Sequence, residues 1–294
     1  MIVSRFAPSP TGRLHLGHAY SAVRAHDLAR TAGGQFLLRI EDIDGTRSRE
    51  QFVVAIEEDL RWLGLAWDGP VPRQSERMPL YAEALDQLKA MGLIYPCFCT
   101  RAEIAASASA PHGPEGPVYP GTCRGLSEAE RAARTGEPHC WRLHMAKAIE
   151  VAADRTPSPL EGEGFLAWHD SSAGWIQAAP LAAGDVVLAR KETPTSYHLA
   201  VTVDDAAQGV TDVVRGVDLF EATHIHRLLQ ALLGLPTPRY HHHPLLIGPD
   251  GKRLAKRNGA RPLADLRAQG ADPAQLLAAL RQGQVPIGAA AGEA

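Results

Sequence analysis

Residues 9–18 read Ser-Pro-Thr-Gly-Arg-Leu-His-Leu-Gly-His, between a short apolar run at Ile2-Val3 and a stretch with helical periodicity. The two glycines have no Cβ, so a phosphate-bearing ligand can approach the backbone of this strand-to-helix turn closely. The helix start that follows presents N–H groups and a partial positive charge to an anion. His15 and His18, three residues apart, share one side of a helical turn and can both donate to a phosphate. The stretch therefore predicts nucleotide chemistry at the end of the first strand.

Composition sets limits on the remaining possibilities. The chain has 294 residues, 45% hydrophobic and 21% charged, which indicates a globular protein with a substantial core. Its formal charge of −3 is not that of a dedicated nucleic-acid binder, so we expect no DNA partner, and any RNA contact needs a local basic face. No apolar run approaches the roughly 18 residues of a membrane span, and the chain begins at once with a strand. We expect a cytoplasmic protein with no membrane partner.

Strands and helices alternate in the first 92 residues. The pattern predicts a strand at Ile2–Phe6, a helix over residues 16–31 and a strand at Gln35–Ile40, followed by two amphipathic helices that end at Gly64 and Gly92. This order indicates an α/β fold with a parallel sheet and right-handed crossovers.

Residues 93–190 interrupt that alternation with four cysteines, a small-residue tract and a Pro/Gly-rich loop. We interpret them as an insertion between two halves of a nucleotide-binding domain. The sheet pattern resumes with predicted strands at Ser196–Val203, Thr211–Arg215 and Tyr240–Ile247, with a helix over Leu219–Leu233. The expected domains are 1–92 (first catalytic half), 93–190 (insertion), 191–257 (second catalytic half) and 258–294 (short helical C-terminal segment).

Three later segments decide what this nucleotide site resembles. Residues 38–44 read LRIEDID, residues 214–219 read VRGVDL, and residues 251–257 read GKRLAKR. With residues 9–18, and in this order, they resemble the catalytic core of class I aminoacyl-tRNA synthetases of the glutamyl and glutaminyl group. The resemblance covers most of residues 1–257. It implies a ligase with a Rossmann-like parallel sheet and an inserted, zinc-bearing, acceptor-type subdomain.

The resemblance implies an ATP site. His15, His18 and Lys256 would be its catalytic residues and, with Gly17, would bind ATP, whose phosphates magnesium would neutralise. The alternatives are helix capping or surface placement for the histidines and a solvated basic loop for the lysine. The family usually has two lysines and a serine in this loop, whereas this chain has Arg253 for the first lysine and Ala255 for the serine.

The resemblance also implies a glutamate site. Arg5 and Arg215 would face the side-chain carboxylate, Glu41 and Tyr197 the α-amino group, and Ser9 would support the substrate by hydrogen bonding. A guanidinium matches a carboxylate in a two-point geometry, so two arginines favour glutamate over glutamine. Three neighbouring charges are expected to form local ion pairs around a turn instead: Arg39, Asp42 and Asp44.

The cysteines indicate a metal site in a reducing compartment rather than a disulfide scaffold. The resembling family often holds structural zinc at this place, and some members use a tyrosine as fourth ligand. We expect the ligands Cys97, Cys99, Tyr119 and Cys123, with His112 as an alternative fourth ligand because structural zinc normally takes Cys or His. Cys140 is expected to be a buried small apolar residue. The triple histidine at 241–243 is not expected to bind metal, because adjacent side chains in a strand point to opposite faces.

Only 37 residues follow Arg257, fewer than the roughly 50 a separate domain needs, so we expect no anticodon-binding domain. That combination, with residues 197–205, resembles the glutamyl-queuosine tRNA(Asp) synthetases. These activate L-glutamate with ATP and attach it to the queuosine base in the anticodon of tRNA(Asp). Two alternatives are a minimal glutamyl-tRNA synthetase that charges the 3′ end of tRNA(Glu), and a non-catalytic RNA-binding paralogue.

Overall fold

The computed structural model describes residues 1–106, 112–113, 116–134, 136–155, 166–248, 254 and 261–285. The described strands, in chain order, are β1 (Val3–Phe6), β2 (Gln35–Leu38), β3 (Ile94–Cys97), β4 (His112–Gly113), β5 (Gly116–Pro117), β6 (Cys140–Leu143), β7 (Ala167–Asp170), β8 (Gly174–Gln177), β9 (Val187–Ala189), β10 (Asp212–Gly216) and β11 (Arg239–His243). The described helices are α1 (Leu16–Thr31), α2 (Glu50–Trp62), α3 (Met78–Ala90), α4 (Arg101–Ala106), α5 (Glu128–Ala133), α6 (Met145–Ala153), α7 (Tyr197–Ala207), α8 (Ala222–Leu233), α9 (Leu263–Ala268) and α10 (Pro273–Arg281).

A six-stranded sheet in the order β2-β1-β10-β11-β7-β8 forms the centre of the molecule. Its first five strands pair in parallel, and β8 runs antiparallel to β7 at the edge. Helix α1 connects β1 to β2 and has the bounds that the sequence predicts, residues 16–31. The α/β class is therefore confirmed, with a mixed sheet in place of the expected parallel one.

The insertion expected at residues 93–190 does not coincide with one of the observed sheets. Strands β7 and β8 fall within residues 93–190, yet they extend the six-stranded sheet through the pairing of Tyr240 with Asp170. A separate antiparallel sheet, in the order β3-β6-β9, holds the other long strands of this region. The expected boundaries at 93 and 190 thus do not follow the division between the two sheets, because β7 pairs with a strand about 70 residues further along the chain.

The predicted strand at Ser196–Val203 is wrong, because these residues begin helix α7. Leu199 and Val203, four positions apart, lie in an apolar cluster with residues of α3, α6 and α8. Two aspartates at the end of the same helix reach buried arginines, as described below. The β-branched residues that favour a strand are outweighed by this tertiary packing.

Two apolar clusters hold the helices against the two sheets. One joins α1, α2, α9 and α10 to β1 and β2, and the other joins α3, α6, α7 and α8 to the three-stranded sheet. None of the helices in the described parts of the chain combines the length and the apolar character needed to cross a lipid bilayer.

Candidate active site

A cleft of about 540 Å³ opens where β1 and β10 end at their carboxyl sides. The carboxyl edge of a parallel sheet is where α/β folds place their ligands. The walls of this cleft contain eight of the residues predicted for ATP and glutamate: Arg5, Ser9, His15, Gly17, His18, Glu41, Tyr197 and Arg215. Lys256, the ninth, lies outside the described residues.

His15 and His18 both cap helix α1 and line the cleft. The His15 Nδ1 atom accepts the Gly17 N–H at 3.1 Å, and the His18 Nδ1 atom accepts the His15 N–H at 3.2 Å. Because each Nδ1 is an acceptor, the proton of each neutral ring lies on Nε2. A Cβ on Gly17 would lie 3.0 Å from the His15 ring, so this glycine lets the ring fold over the helix start. Capping of α1 thus uses the Nδ1 atoms of both rings.

Arg5 lines the cleft with its charge already balanced. Its Nε and Nη2 atoms donate to the two carboxylate oxygens of Asp205 at 3.0 and 3.1 Å. Asp205 also accepts from Arg39 at 2.8 Å, and Arg39 donates to Glu41 at 3.1 Å. Although burial opposes ionisation, the two arginines lower the pKa of Asp205. This buried cluster joins β1 and the strand-end residues after β2 to helix α7.

Glu41 and Tyr197 meet at the cleft from two different elements. The Glu41 N–H donates to the Pro8 carbonyl at 3.0 Å, which places Glu41 next to the loop that carries Ser9. Burial raises the pKa of the Glu41 carboxyl against the opposing charge of Arg39. Tyr197 is the first residue of α7, and burial raises the pKa of its phenol.

Arg215 differs from Arg5 in its partners. Its Nε donates to the His242 Nε2 atom at 3.1 Å, its Nη1 to the His226 Nδ1 atom at 3.2 Å, and its Nη2 to the Thr223 hydroxyl. Among the described residues, no carboxylate lies within ion-pair distance of this guanidinium. Arg215 is 5% exposed, so it brings to the cleft a buried positive charge that no described carboxylate pairs with.

Sequence reasoning missed the partners that hold these arginines. Asp205 is the counter-ion of two of them, and Thr223, His226 and His242 support Arg215. The spacing of Thr223 and His226, three residues apart on one helix, was the available signal for two of these positions.

The three charged residues expected to pair around the turn, Arg39, Asp42 and Asp44, have different kinds of partner. Asp44 binds Arg47 at 2.6 Å, as expected for a local ion pair. Asp42 accepts the N–H and hydroxyl of Ser75 instead. Arg39 is fully buried and forms a local ion pair with Glu41, but it also binds residues of the distant helix α7, which the sequence did not predict.

Three cysteines come together in the small sheet region. The Sγ atoms of Cys97, Cys99 and Cys123 lie within 4.8 Å of one another, which is the one metal-competent group found among the described residues. The Tyr119 hydroxyl is 3.7 Å from the Cys99 Sγ atom and accepts the Cys123 N–H at 2.7 Å. These four residues offer three sulfur atoms and one oxygen, the number of donors that a structural zinc takes. The side chain of His112 lies outside what the structure describes.

The thiols of Cys97 and Cys99 differ in their pKa. A hydrogen bond from Cys140, against the effect of burial, lowers the pKa of Cys97 to about 4, whereas burial raises the pKa of Cys99 to about 11. Cys140 itself is buried beside Cys97, and its Sγ atom also lies 3.5 Å from the Cys97 carbonyl oxygen.

Each residue of the triple histidine has its own partner. His241 binds Asp212 at 2.8 Å, His242 binds Asp170 at 2.8 Å, and His243 binds Ser21 at 2.9 Å. The three histidines thus bind three different parts of the chain.

Comparison with known proteins gives the family. Residues 1–290 match the family of class I tRNA synthetases (E and Q), catalytic domain. The chain belongs to this class I synthetase family. It is 53% identical to the glutamyl-Q tRNA(Asp) synthetase of Rhodobacter capsulatus, over 94% of this chain and 98% of that protein.

Other class I synthetases extend beyond the matched part. The chain is 41% identical to glutamate–tRNA ligase 1 of Ruegeria pomeroyi, over 94% of this chain and 59% of that protein. It also superposes on a crystal structure of a glutamate tRNA ligase from Elizabethkingia meningosepticum in complex with its amino acid, with a TM-score of 0.71 and 29% identity. That match covers 88% of this chain, which spans about half (52%) of the crystallised one.

Proposed function

We propose that this class I synthetase activates L-glutamate with ATP and transfers the glutamyl group to the queuosine base in the anticodon of tRNA(Asp). The observation that carries the proposal is the buried guanidinium of Arg215, which has no counter-ion among the described residues, in a cleft that also holds Glu41 and the His15–His18 turn. The glutamyl-Q tRNA(Asp) synthetases at 40–53% identity support it.

Glutamate would bind between two opposite charges. Arg215 would receive the side-chain carboxylate, Glu41 and Tyr197 the α-ammonium, and Ser9 would add a hydrogen bond. Glutamine would leave the buried guanidinium without an anionic partner, at a cost of about 2–5 kcal/mol, or roughly thirty- to several-thousand-fold in binding. Arg5, which is neutralised by Asp205, would orient the substrate and contribute less to its charge selectivity.

Activation would take place at the start of helix α1. An α-carboxylate oxygen of glutamate attacks the α-phosphorus of ATP, and pyrophosphate leaves. The Nε2–H groups of His15 and His18 would donate to phosphate oxygens as negative charge develops, with Gly17 beside them. Lys256 would bring a further positive charge, and magnesium accompanies ATP as part of the substrate. No general base is needed, because positioning and charge stabilisation supply the catalysis.

Transfer completes the reaction. A hydroxyl of the queuosine cyclopentene ring attacks the glutamyl carbonyl, AMP leaves, and the hydroxyl proton is released. A structural zinc bound by Cys97, Cys99, Tyr119 and Cys123 would hold the small-sheet region in place.

Glutamate-dependent ATP–pyrophosphate exchange tests the activation step. We expect exchange with the unmodified protein, and its loss in Arg215→Ala with ATP binding retained. Arg61→Ala is the matched control, because Arg61 is exposed on α2 and pairs with Glu57 outside the cleft. Absence of exchange in the unmodified protein would favour the non-catalytic RNA-binding alternative.

A further inference from the structure

The contacts of Arg215 fix the protonation pattern around it. A guanidinium only donates, so the His226 Nδ1 and His242 Nε2 atoms that it reaches must both be acceptors. Neutral His226 then carries its proton on Nε2, which donates to the His198 Nδ1 atom at 3.2 Å. Neutral His242 carries its proton on Nδ1, which donates to Asp170 at 2.8 Å.

Burial favours this uncharged state of the three imidazoles. It lowers the pKa of His198 and of His242 to about 4, and that of His226 well below its usual value, with the charge of Arg215 adding to the effect. At neutral pH the rings therefore accept from Arg215 without adding charge of their own. The nearest carboxylate of the network, Asp170, is separated from the guanidinium by the His242 ring.

The arrangement leaves N–H groups of the Arg215 guanidinium for a ligand. Of its five N–H groups, three reach described protein partners: His242, His226 and Thr223. Two remain, the number that a two-point carboxylate contact uses. Arg5 offers the contrast, because Asp205 occupies two of its N–H groups and cancels its charge.

We propose that Thr223, His226 and His242 are positioning residues that hold Arg215 through neutral acceptors, and that the lack of a counter-ion for this guanidinium among the described residues makes the site selective for an acidic over an amide side chain. This inference rests on the proposed function and adds to it the residues that set the charge of the pocket. Thr223 and His226 lie on the same face of α8, and His242 lies on β11 beside the strand of Arg215.

Thr223 offers the sharpest test, because Asp and Asn are close to it in size and differ from each other only in charge. Position 223 is the second residue of α8, where an Asp interacts favourably with the helix start, so Thr223→Asp is expected to fold. Calorimetric titration with L-glutamate and with L-glutamine, without ATP, gives the ratio of their dissociation constants in each variant. We expect the preference for glutamate to fall about tenfold or more in Thr223→Asp relative to Thr223→Asn.

A second pair tests the positioning role itself. His226→Leu removes the acceptor, whereas the amide oxygen of His226→Asn takes the place of Nδ1. We expect a higher KM for glutamate in His226→Leu with kcat at saturating glutamate largely kept, and recovery of KM in His226→Asn. Equal ratios in the two Thr223 variants, or an unchanged KM in His226→Leu, would overturn the inference.

The titrations also show whether this inference or the proposed function has failed. Glutamate binding without any ATP–pyrophosphate exchange would overturn the proposed function alone. Absence of glutamate binding by the unmodified protein would overturn both.

Discussion

Arg5 on β1 and Asp205 on α7 form a two-point ion pair, with distances of 3.0 and 3.1 Å between their paired atoms, although 200 residues separate them in the chain. The same carboxylate accepts from Arg39, so it balances two buried guanidinium groups. The pair ties α7 to the central sheet and thereby places Tyr197, the first residue of that helix, at the cleft.

Asp205→Asn should therefore destabilise the fold strongly. It leaves two buried arginines short of a counter-ion, and breaking a buried pair in this way costs about 3–5 kcal/mol. Guanidinium chloride unfolding measures the change. The control Asp86→Asn removes one partner of an exposed pair with Lys89 and should have no measurable effect. Equal midpoints for the two variants would show that Asp205 does not act as a buried counter-ion.

His18→Asn separates capping from catalysis. The Asn side-chain oxygen can replace Nδ1 in accepting the His15 N–H, whereas the Nε2–H that is proposed to donate to phosphate is lost. We expect an unchanged melting temperature and a fall of about 10²–10³-fold in the rate of pyrophosphate exchange, the usual effect of removing one such donor. A variant that melts normally and exchanges at the original rate would contradict the assignment of His18 to the phosphates.

Cys99→Ser should reduce the zinc content of the purified protein. Its Sγ atom lies 3.5 Å from that of Cys123, within the group of three thiols. Elemental analysis of the unmodified protein should give about one zinc per chain. The matched control is Cys140→Ser, which alters a buried thiol outside the group and should retain the metal. Zinc-free unmodified protein would refute the site.

Asp59 predicts a pH dependence of stability. Its carboxyl is buried under α9, neither oxygen has a hydrogen-bond partner among the described residues, and burial raises its pKa to about 6 against the opposing charge of Arg267. The folded state thus binds the proton more tightly than the unfolded state, so this group favours folding below about pH 4 and the benefit is lost as pH rises to about 6.

Asp59→Asn should accordingly stabilise the protein by about 1–3 kcal/mol at pH 8, with the gain shrinking towards pH 4. Unfolding curves across this pH range measure it, with Glu83→Gln on the exposed side of α3 as a control that leaves the profile unchanged. A gain that does not vary with pH would show that ionisation of Asp59 is not its cause.

Local patterns predicted the elements whose signals lie close together in the chain. Helix α1 has a turn at its start, apolar periodicity along its length and glycines after it, and its bounds are those expected. Eight residues that line the cleft were also expected there, six of them because three sequence motifs carry them and Arg5 and Tyr197 because the family resemblance implies them. Their roles in binding and catalysis stay predictions.

Long-range contacts account for what the sequence did not reveal. The local sequence of α7 predicts a strand, but in the fold its apolar residues pack against α3 and α8. Strand β7 belongs to the main sheet because it pairs with β11. Arg39 forms the expected local pair with Glu41, yet its other partners Asp205 and Gln208 lie more than 160 residues away. The neutral support of Arg215 likewise depends on side chains from two elements that no single motif contains.

The most direct test of the account is transfer of labelled glutamate, with ATP, to purified tRNA(Asp) with and without queuosine, beside tRNA(Glu). The account predicts label on queuosine-containing tRNA(Asp) alone. Label on the 3′ end of tRNA(Glu) would contradict it and make the protein a minimal glutamyl-tRNA synthetase.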